Sequence, residues 1–178
     1  MKWPNRLTLL RIIFIPFFIL LFYLDIPGWN YYAAALFVIA FITDILDGLI
    51  ARRHDYISNF GKLMDPLADK MLVTAALIML VSKGMFSAVI AVVMISREFV
   101  ISGIRAFAAA EGVVIPAGNL GKLKTVFQAV AIVAVLLENV LFRDIGIPFD
   151  QIMVYASLGL TVWSGADYII KHRKFLKF

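Results

Sequence analysis

Cysteine is absent from all 178 residues, so disulfides, thiolate metal sites and cysteine nucleophiles are excluded. Charge is scarce: Asp, Glu, Lys and Arg make up 16% of the chain, against about 25% in an average soluble domain. Only two histidines occur, His54 and His172, both near charged neighbours, and no Ser–His pairing suggests a covalent intermediate. Strand-like alternation, internal repeats and low-complexity tracts are also missing. Apolar residues fill the space instead, at 62% of the chain, where about 45–50% is usual. That composition belongs to the membrane class, and the length suits a single membrane domain over residues 1–178.

Six apolar segments follow from hydropathy, at 7–24, 31–50, 63–81, 85–110, 124–137 and 152–170, divided by clusters of turn formers and charges. Each should be helical, because backbone groups in lipid must bond within their own segment. The expected fold is an all-α integral membrane protein of six transmembrane helices. A short N-terminal interfacial helix over residues 4–14 should precede the first span, with Pro4 in its first turn and a bend near Pro16. The first apolar stretch ends Tyr23-Leu24-Asp25-Ile26-Pro27 without a small-residue cleavage site, so it is read as retained.

With six spans both termini face one side. Fifteen of the seventeen Lys and Arg residues fall on that side, and only Lys83 and Arg143 on the other. The positive-inside rule therefore predicts cytoplasmic termini. Net charge is +5, which points to an anionic partner. The basic residues form no long soluble stripe of the kind nucleic acid requires, so nucleic acid is set aside in favour of anionic headgroups or phosphorylated substrates.

Four aspartates stand in or beside apolar segments: Asp44-x-x-Asp47-Gly48-x-x-Ala51-Arg52, then eight residues, then Gly61-x-x-x-Asp65-x-x-x-Asp69. A carboxylate near a bilayer centre costs about 2.5–3.5 kcal/mol, so such residues are rarely idle. On a helix, positions 44, 47, 48, 51 and 52 share one stripe, and 61, 65 and 69 share another. Gly48 and Ala51 keep the first stripe narrow, and Arg52 ends it with a fork suited to phosphate. Antiparallel packing of the two segments would set Asp65 and Asp69 against Asp44 and Asp47. Four hard oxygen donors favour Mg²⁺ or Mn²⁺ and suffice for two ions, the arrangement that assists phosphoryl displacement. Taken singly, an aspartate here can also be a helix cap or an arginine's partner, and Asp65 before Pro66 can be a helix-start residue.

This spacing resembles, without departure, the signature of the CDP-alcohol phosphatidyltransferases, a family of six-span membrane enzymes, commonly homodimers, with a cytoplasm-facing site. The resemblance implies attack on the phosphate of a CDP-activated donor with release of CMP. It implies Asp44, Asp47 and Asp65 as ligands of one metal ion and Asp44, Asp65 and Asp69 as ligands of a second, with Asp69 also the general base. It places Gly48 against the nucleotide, Arg52 on the diphosphate, Ser58 near the donor, and Asn5-x-x-Thr8-x-x-Arg11 along the cytidine.

The pieces Pro4-Asn5-Arg6-Leu7-Thr8-x-x-Arg11, Met64-Asp65-Pro66-Leu67-Ala68-Asp69-Lys70, Ile95-Ser96-Arg97-Glu98 and Gly121-Lys122-Leu123-Lys124-Thr125 narrow the resemblance. They are similar to bacterial members that use CDP-diacylglycerol as donor and sn-glycerol 3-phosphate as acceptor at the inner membrane. Arg97 and Arg105, eight residues apart, share a helix face, and Lys122 and Lys124 open the next segment. These four are candidates to hold the acceptor's phosphate; the competing reading is anchoring to headgroups by snorkelling. Other acceptors (inositol phosphate, serine, phosphatidylglycerol) and an ion-coupled transporter remain as alternatives.

Overall fold

The fold is that of a computed structural model. It describes the backbone of residues 3–24, 26–54, 59–113, 115–116 and 118–172, and within these the side chains of 13–43 and 70–172. Six α-helices follow in order: α1 Trp3–Tyr23, α2 Trp29–His54, α3 Asn59–Ser82, α4 Ala88–Ala110, α5 Asn119–Leu136 and α6 Phe149–Lys171, with a short 3₁₀ turn at Arg143–Ile145 before the last. No strand occurs among the described residues.

All six apolar segments are thus helical, with ends that differ from the hydropathy reading. The polar flanks are helical too: α2 continues to His54, and α3 starts at Asn59. The short N-terminal interfacial helix is not a separate element, because residues 4–14 form the first turns of a continuous α1 that carries Pro16 inside it. Proline removes one backbone hydrogen bond there, but Ile15, Phe18 and Phe22 are buried on the same stretch, and packing on both sides of Pro16 holds the helix together. Pro4 does stand in the first turn of α1.

Among the described residues, only α5 is both long and apolar enough to cross a membrane; Ile13–Tyr23, Trp29–Thr43 and Lys70–Ser82 are shorter apolar stretches. At 23 residues each, α4 and α6 have the length for a crossing, about 34 Å at 1.5 Å per residue. Arg97, Glu98 and Arg105 in α4 and a row of hydroxyls in α6 lower their apolarity.

The chain forms two compact units, Met1–Met85 with Leu136–Glu138, and Phe86–Val135 with Asn139–Phe178. In the first, α1 packs against both α2 and α3. The contact between α1 and α2 is aromatic: Phe18 lies 5.1 Å from Phe22 and 6.2 Å from Phe37 between ring centroids, and Phe22 lies 4.7 Å from Trp29. Helix α3 ends in a Schellman turn, with Gly84 at φ +70° donating to Val81 O and Met85 N donating to Leu80 O. The left-handed residue is glycine because a side chain there would be strained.

In the second unit α4 packs on α6. The buried residues of α6 are Val154, Ser157, Thr161, Ser164, Gly165 and Tyr168, those of α4 are Ala91, Met94, Ile101, Ile104 and Ala108, and Tyr168 clusters with Ile101 and Ile104. Small residues let helix backbones approach closely. The hydroxyls are satisfied within α6: Ser157 Oγ donates to Val154 O, Thr161 Oγ1 to Ser157 O, and Ser164 Oγ to Thr161 O. Large apolar side chains such as Trp163, Val162 and Ile170 point outward, as on a lipid-facing surface.

Candidate active site

The backbone bears out the helical register on which the aspartate motif depends. Asp44, Asp47, Gly48, Ala51 and Arg52 all lie in α2, and Gly61, Asp65 and Asp69 all lie in α3. At 1.5 Å of rise per residue, Asp44 and Asp47 are about 4.5 Å apart along α2, and Asp65 and Asp69 about 6 Å apart along α3. Helix α3 begins at Asn59, so Asp65 stands six residues inside it and is not a helix-start residue. Asn5, Thr8 and Arg11 lie in α1, the helix that packs on both α2 and α3. The side chains of Asn5, Thr8, Arg11, Asp44, Asp47, Gly48, Arg52, Asp65 and Asp69, and the whole of Ser58, lie outside the described residues. Among the described residues no cluster of acidic or histidine side chains could hold a metal ion.

The side chains of all four basic residues lie within the described residues, and Lys124 does not behave as an anchoring lysine. Lys124, on the second turn of α5, is 1% exposed and donates its ammonium to Glu98 Oε1. A snorkelling lysine would put that group in water or among headgroups. The same Glu98 oxygen accepts from Arg97 Nη1 at 3.2 Å, and Arg97 Nη2 donates to Ser164 Oγ at 2.9 Å. Arg97 is 14% exposed and Glu98 21%, so a chain of alternating charge, Lys124–Glu98–Arg97, runs across α4 and α5 to the hydroxyl of α6. Opposite charges in a low-dielectric setting hold one another ionised, and breaking such a pair is costly.

Arg105, two turns beyond Arg97, donates Nε–H to Tyr168 Oη at 3.3 Å, with its guanidinium carbon 5.3 Å from that ring's centroid. Tyr168 in turn lies 4.4 Å from the His172 ring. Ser164 and Tyr168 are four residues apart, about 6 Å of helix rise. The two arginines leave α4 eight residues apart and reach α6 within a single turn. Lys122 is exposed.

Reading the sequence alone missed Ser164, Gly165 and Tyr168. A signal existed in the spacing Ser157, Thr161, Ser164, Gly165, Tyr168, a polar and small stripe at helical period within an apolar segment. Such a stripe is equally a packing seam, and only the contact to Arg97 separates the two.

Comparison with known proteins adds to this geometry. The family model described as CDP-alcohol phosphatidyltransferase matches residues 1–163. A Bacillus subtilis protein named CDP-diacylglycerol–glycerol-3-phosphate 3-phosphatidyltransferase is 40% identical, covering 98% of this chain and 96% of its own. Proteins of the same name from Rickettsia bellii and Pseudomonas fluorescens are 37% and 39% identical, covering 97% and 95% of this chain and 96% and 89% of theirs.

Glu98→Gln keeps the side chain's size and removes the charge that Arg97 and Lys124 share. Loss of one partner from a buried charged pair costs about 3–5 kcal/mol, and the partial exposure of Glu98 sets the expectation at the low end. A lower unfolding temperature of the detergent-solubilised variant is the measurement; an unchanged temperature would mean that the carboxylate is not what holds Lys124.

Proposed function

The chain belongs to the CDP-alcohol phosphatidyltransferase family, and from that premise we propose that it carries out the reaction for which its relatives are named, transfer of the phosphatidyl group from CDP-diacylglycerol to glycerol 3-phosphate. The products are phosphatidylglycerophosphate and CMP. The observation that carries this reading is an uninterrupted aspartate signature in a chain 40% identical to the Bacillus protein over 98% of its length. The family match crosses both compact units, which supports one catalytic domain over 1–178.

The four aspartates form an all-oxygen donor set in a chain without cysteine, borne by two helices in regular register, and that chemistry fits Mg²⁺ or Mn²⁺. Divalent-metal dependence is general in the family. We assign Asp44, Asp47 and Asp65 to one ion and Asp44, Asp65 and Asp69 to a second. When bound, the two ions supply positive charge to the donor diphosphate and the departing CMP.

The chain's own residues do the rest. Asn5, Thr8 and Arg11 hold the cytidine, Gly48 lets the nucleotide approach α2, Arg52 takes the diphosphate, and Ser58 adds a polar contact to the donor. Asp69 accepts the proton of the acceptor's 1-hydroxyl as that oxygen bonds to the phosphatidyl phosphorus. The bond from that phosphorus to the CMP phosphate oxygen breaks, and CMP departs with the electron pair. Arg97 and Arg105, with Lys122 and Lys124, balance the dianionic phosphate of glycerol 3-phosphate. We place the enzyme in the bacterial inner membrane as a homodimer, with its site and both termini at the cytoplasmic face, as the asymmetry of Lys and Arg supports.

Release of CMP by the detergent-solubilised protein, screened with glycerol 3-phosphate, inositol phosphate, serine and phosphatidylglycerol, tests the reading. Turnover with glycerol 3-phosphate alone is expected, and turnover with another acceptor in its place would redirect it. EDTA is expected to abolish activity and added Mg²⁺ or Mn²⁺ to restore it, whereas near-normal rates in EDTA would sink the metal assignment. Asp69→Asn should still bind CDP-diacylglycerol but lose the chemical step, since a missing general base costs about 10²–10⁴-fold. Arg97→Ala and Arg105→Ala should each raise the acceptor KM about ten- to a hundredfold, as loss of a charge-assisted hydrogen bond would, with the donor KM unchanged.

A further inference from the structure

We infer that Ser164 and Gly165 of α6 are positioning residues for the acceptor: they seat the Arg97 guanidinium in the one orientation from which it can grip a phosphate. The inference rests on the assignment of Arg97 to the acceptor's phosphate and adds to it the part of the chain that makes the arginine effective.

An arginine side chain has many rotamers, and a guanidinium that must be ordered at each binding event grips its anion weakly. Arg97 is held on several sides. Ser164 Oγ accepts from Nη2 at 2.9 Å, while the Ser164 hydroxyl donates to Thr161 O at 3.3 Å. That second bond turns the oxygen's lone pairs toward the guanidinium. On the other edge Glu98 Oε1 accepts from Nη1 at 3.2 Å.

Gly165 supplies the notch. A Cβ added there would lie 3.1 Å from Arg97 Cγ and 3.7 Å from Nε. Cγ is the second carbon of the stem, so it cannot move away without shifting the whole guanidinium. At Gly121 of α5, by contrast, a Cβ would lie 3.9 Å from Nη2, an ordinary contact.

The donor count fits an anion site. A guanidinium has five N–H groups. Nε is buried and without a partner, covered on the side of Gly165. One N–H of Nη1 goes to Glu98 and one of Nη2 to Ser164. Each terminal nitrogen keeps one further N–H, the pair of donors that a phosphate takes in a fork. Ser164 and Gly165 touch no substrate in this account; they act through Arg97.

The experiment is steady-state CMP release by the full-length protein in detergent, at varied glycerol 3-phosphate and at varied CDP-diacylglycerol. Ser164→Ala removes one hydrogen bond and should raise the acceptor KM about two- to tenfold. Gly165→Ala displaces the stem and should raise it about tenfold or more. In both, the donor KM should stay at the parent value, which also reports that the variants are folded. Each substitution is then placed in an Arg97→Ala background, where it should add less than about twofold, because the group it acts through is gone.

Undiminished effects of Ser164→Ala or Gly165→Ala in that background would overturn the positioning role, since they would then act independently of Arg97. Unchanged acceptor KM in both single variants, with Arg97→Ala still raising it, would overturn the positioning role and leave the acceptor assignment standing. Unchanged acceptor KM in Arg97→Ala itself would remove the acceptor assignment, and the positioning role with it. If Gly165→Ala does not fold, Ser164→Ala alone and in the Arg97→Ala background decides the question.

Discussion

An ionic group inside an apolar helix bundle keeps its charge only in the company of an opposite charge or of well-aimed hydrogen bonds. Glu98 meets that condition in the second unit by sharing one carboxylate oxygen between Arg97 and Lys124. The rest of that unit is arranged to suit the pair. Helix α6 turns small and polar residues toward α4, Gly165 makes room for the arginine stem, and Ser164 supplies an acceptor where a leucine would leave a donor unpaired.

The first unit faces the same constraint with the opposite sign. Between Asp44 and Asp69 the four motif aspartates and Asp55 stand against only Arg52, Arg53 and Lys62. A divalent metal site would answer that deficit, and divalent-metal dependence is general in the family to which the chain belongs. In the proposed reading, carboxylates gather cations around the diphosphate of the donor, and guanidinium groups receive the phosphate of the acceptor.

Much of this was legible in the sequence because it depends on period and spacing. Asp44, Asp47, Asp65 and Asp69 fall at whole-turn intervals, and the backbone at those positions is helical as expected. The breaks between segments were visible as clusters of turn formers and charges, and Gly28, Gly84 and Gly112 within them stand at positive φ. The N-terminal helix was misread because proline within an apolar run predicts a boundary, while the aromatic packing of Phe18 and Phe22 that overrides it is a tertiary fact. Lys124 was ambiguous for a related reason: a lysine near a span end is either solvated or paired, and its partner Glu98 is 26 residues away in the chain. The spacing of Ser164 and Gly165 did not separate the role proposed for them from a packing seam, because that role lies in what they touch on another helix.

The central claim is that one chain joins a CDP-activated lipid to a phosphorylated alcohol without forming a covalent link to itself. Its most direct test is a mass-spectrometric balance of the reaction of purified protein with CDP-diacylglycerol, Mg²⁺ and glycerol 3-phosphate. The account predicts phosphatidylglycerophosphate and CMP in equal amounts, with no mass added to the protein during turnover. CMP formed at the same rate without glycerol 3-phosphate, or a phosphatidyl group found on the protein, would contradict it.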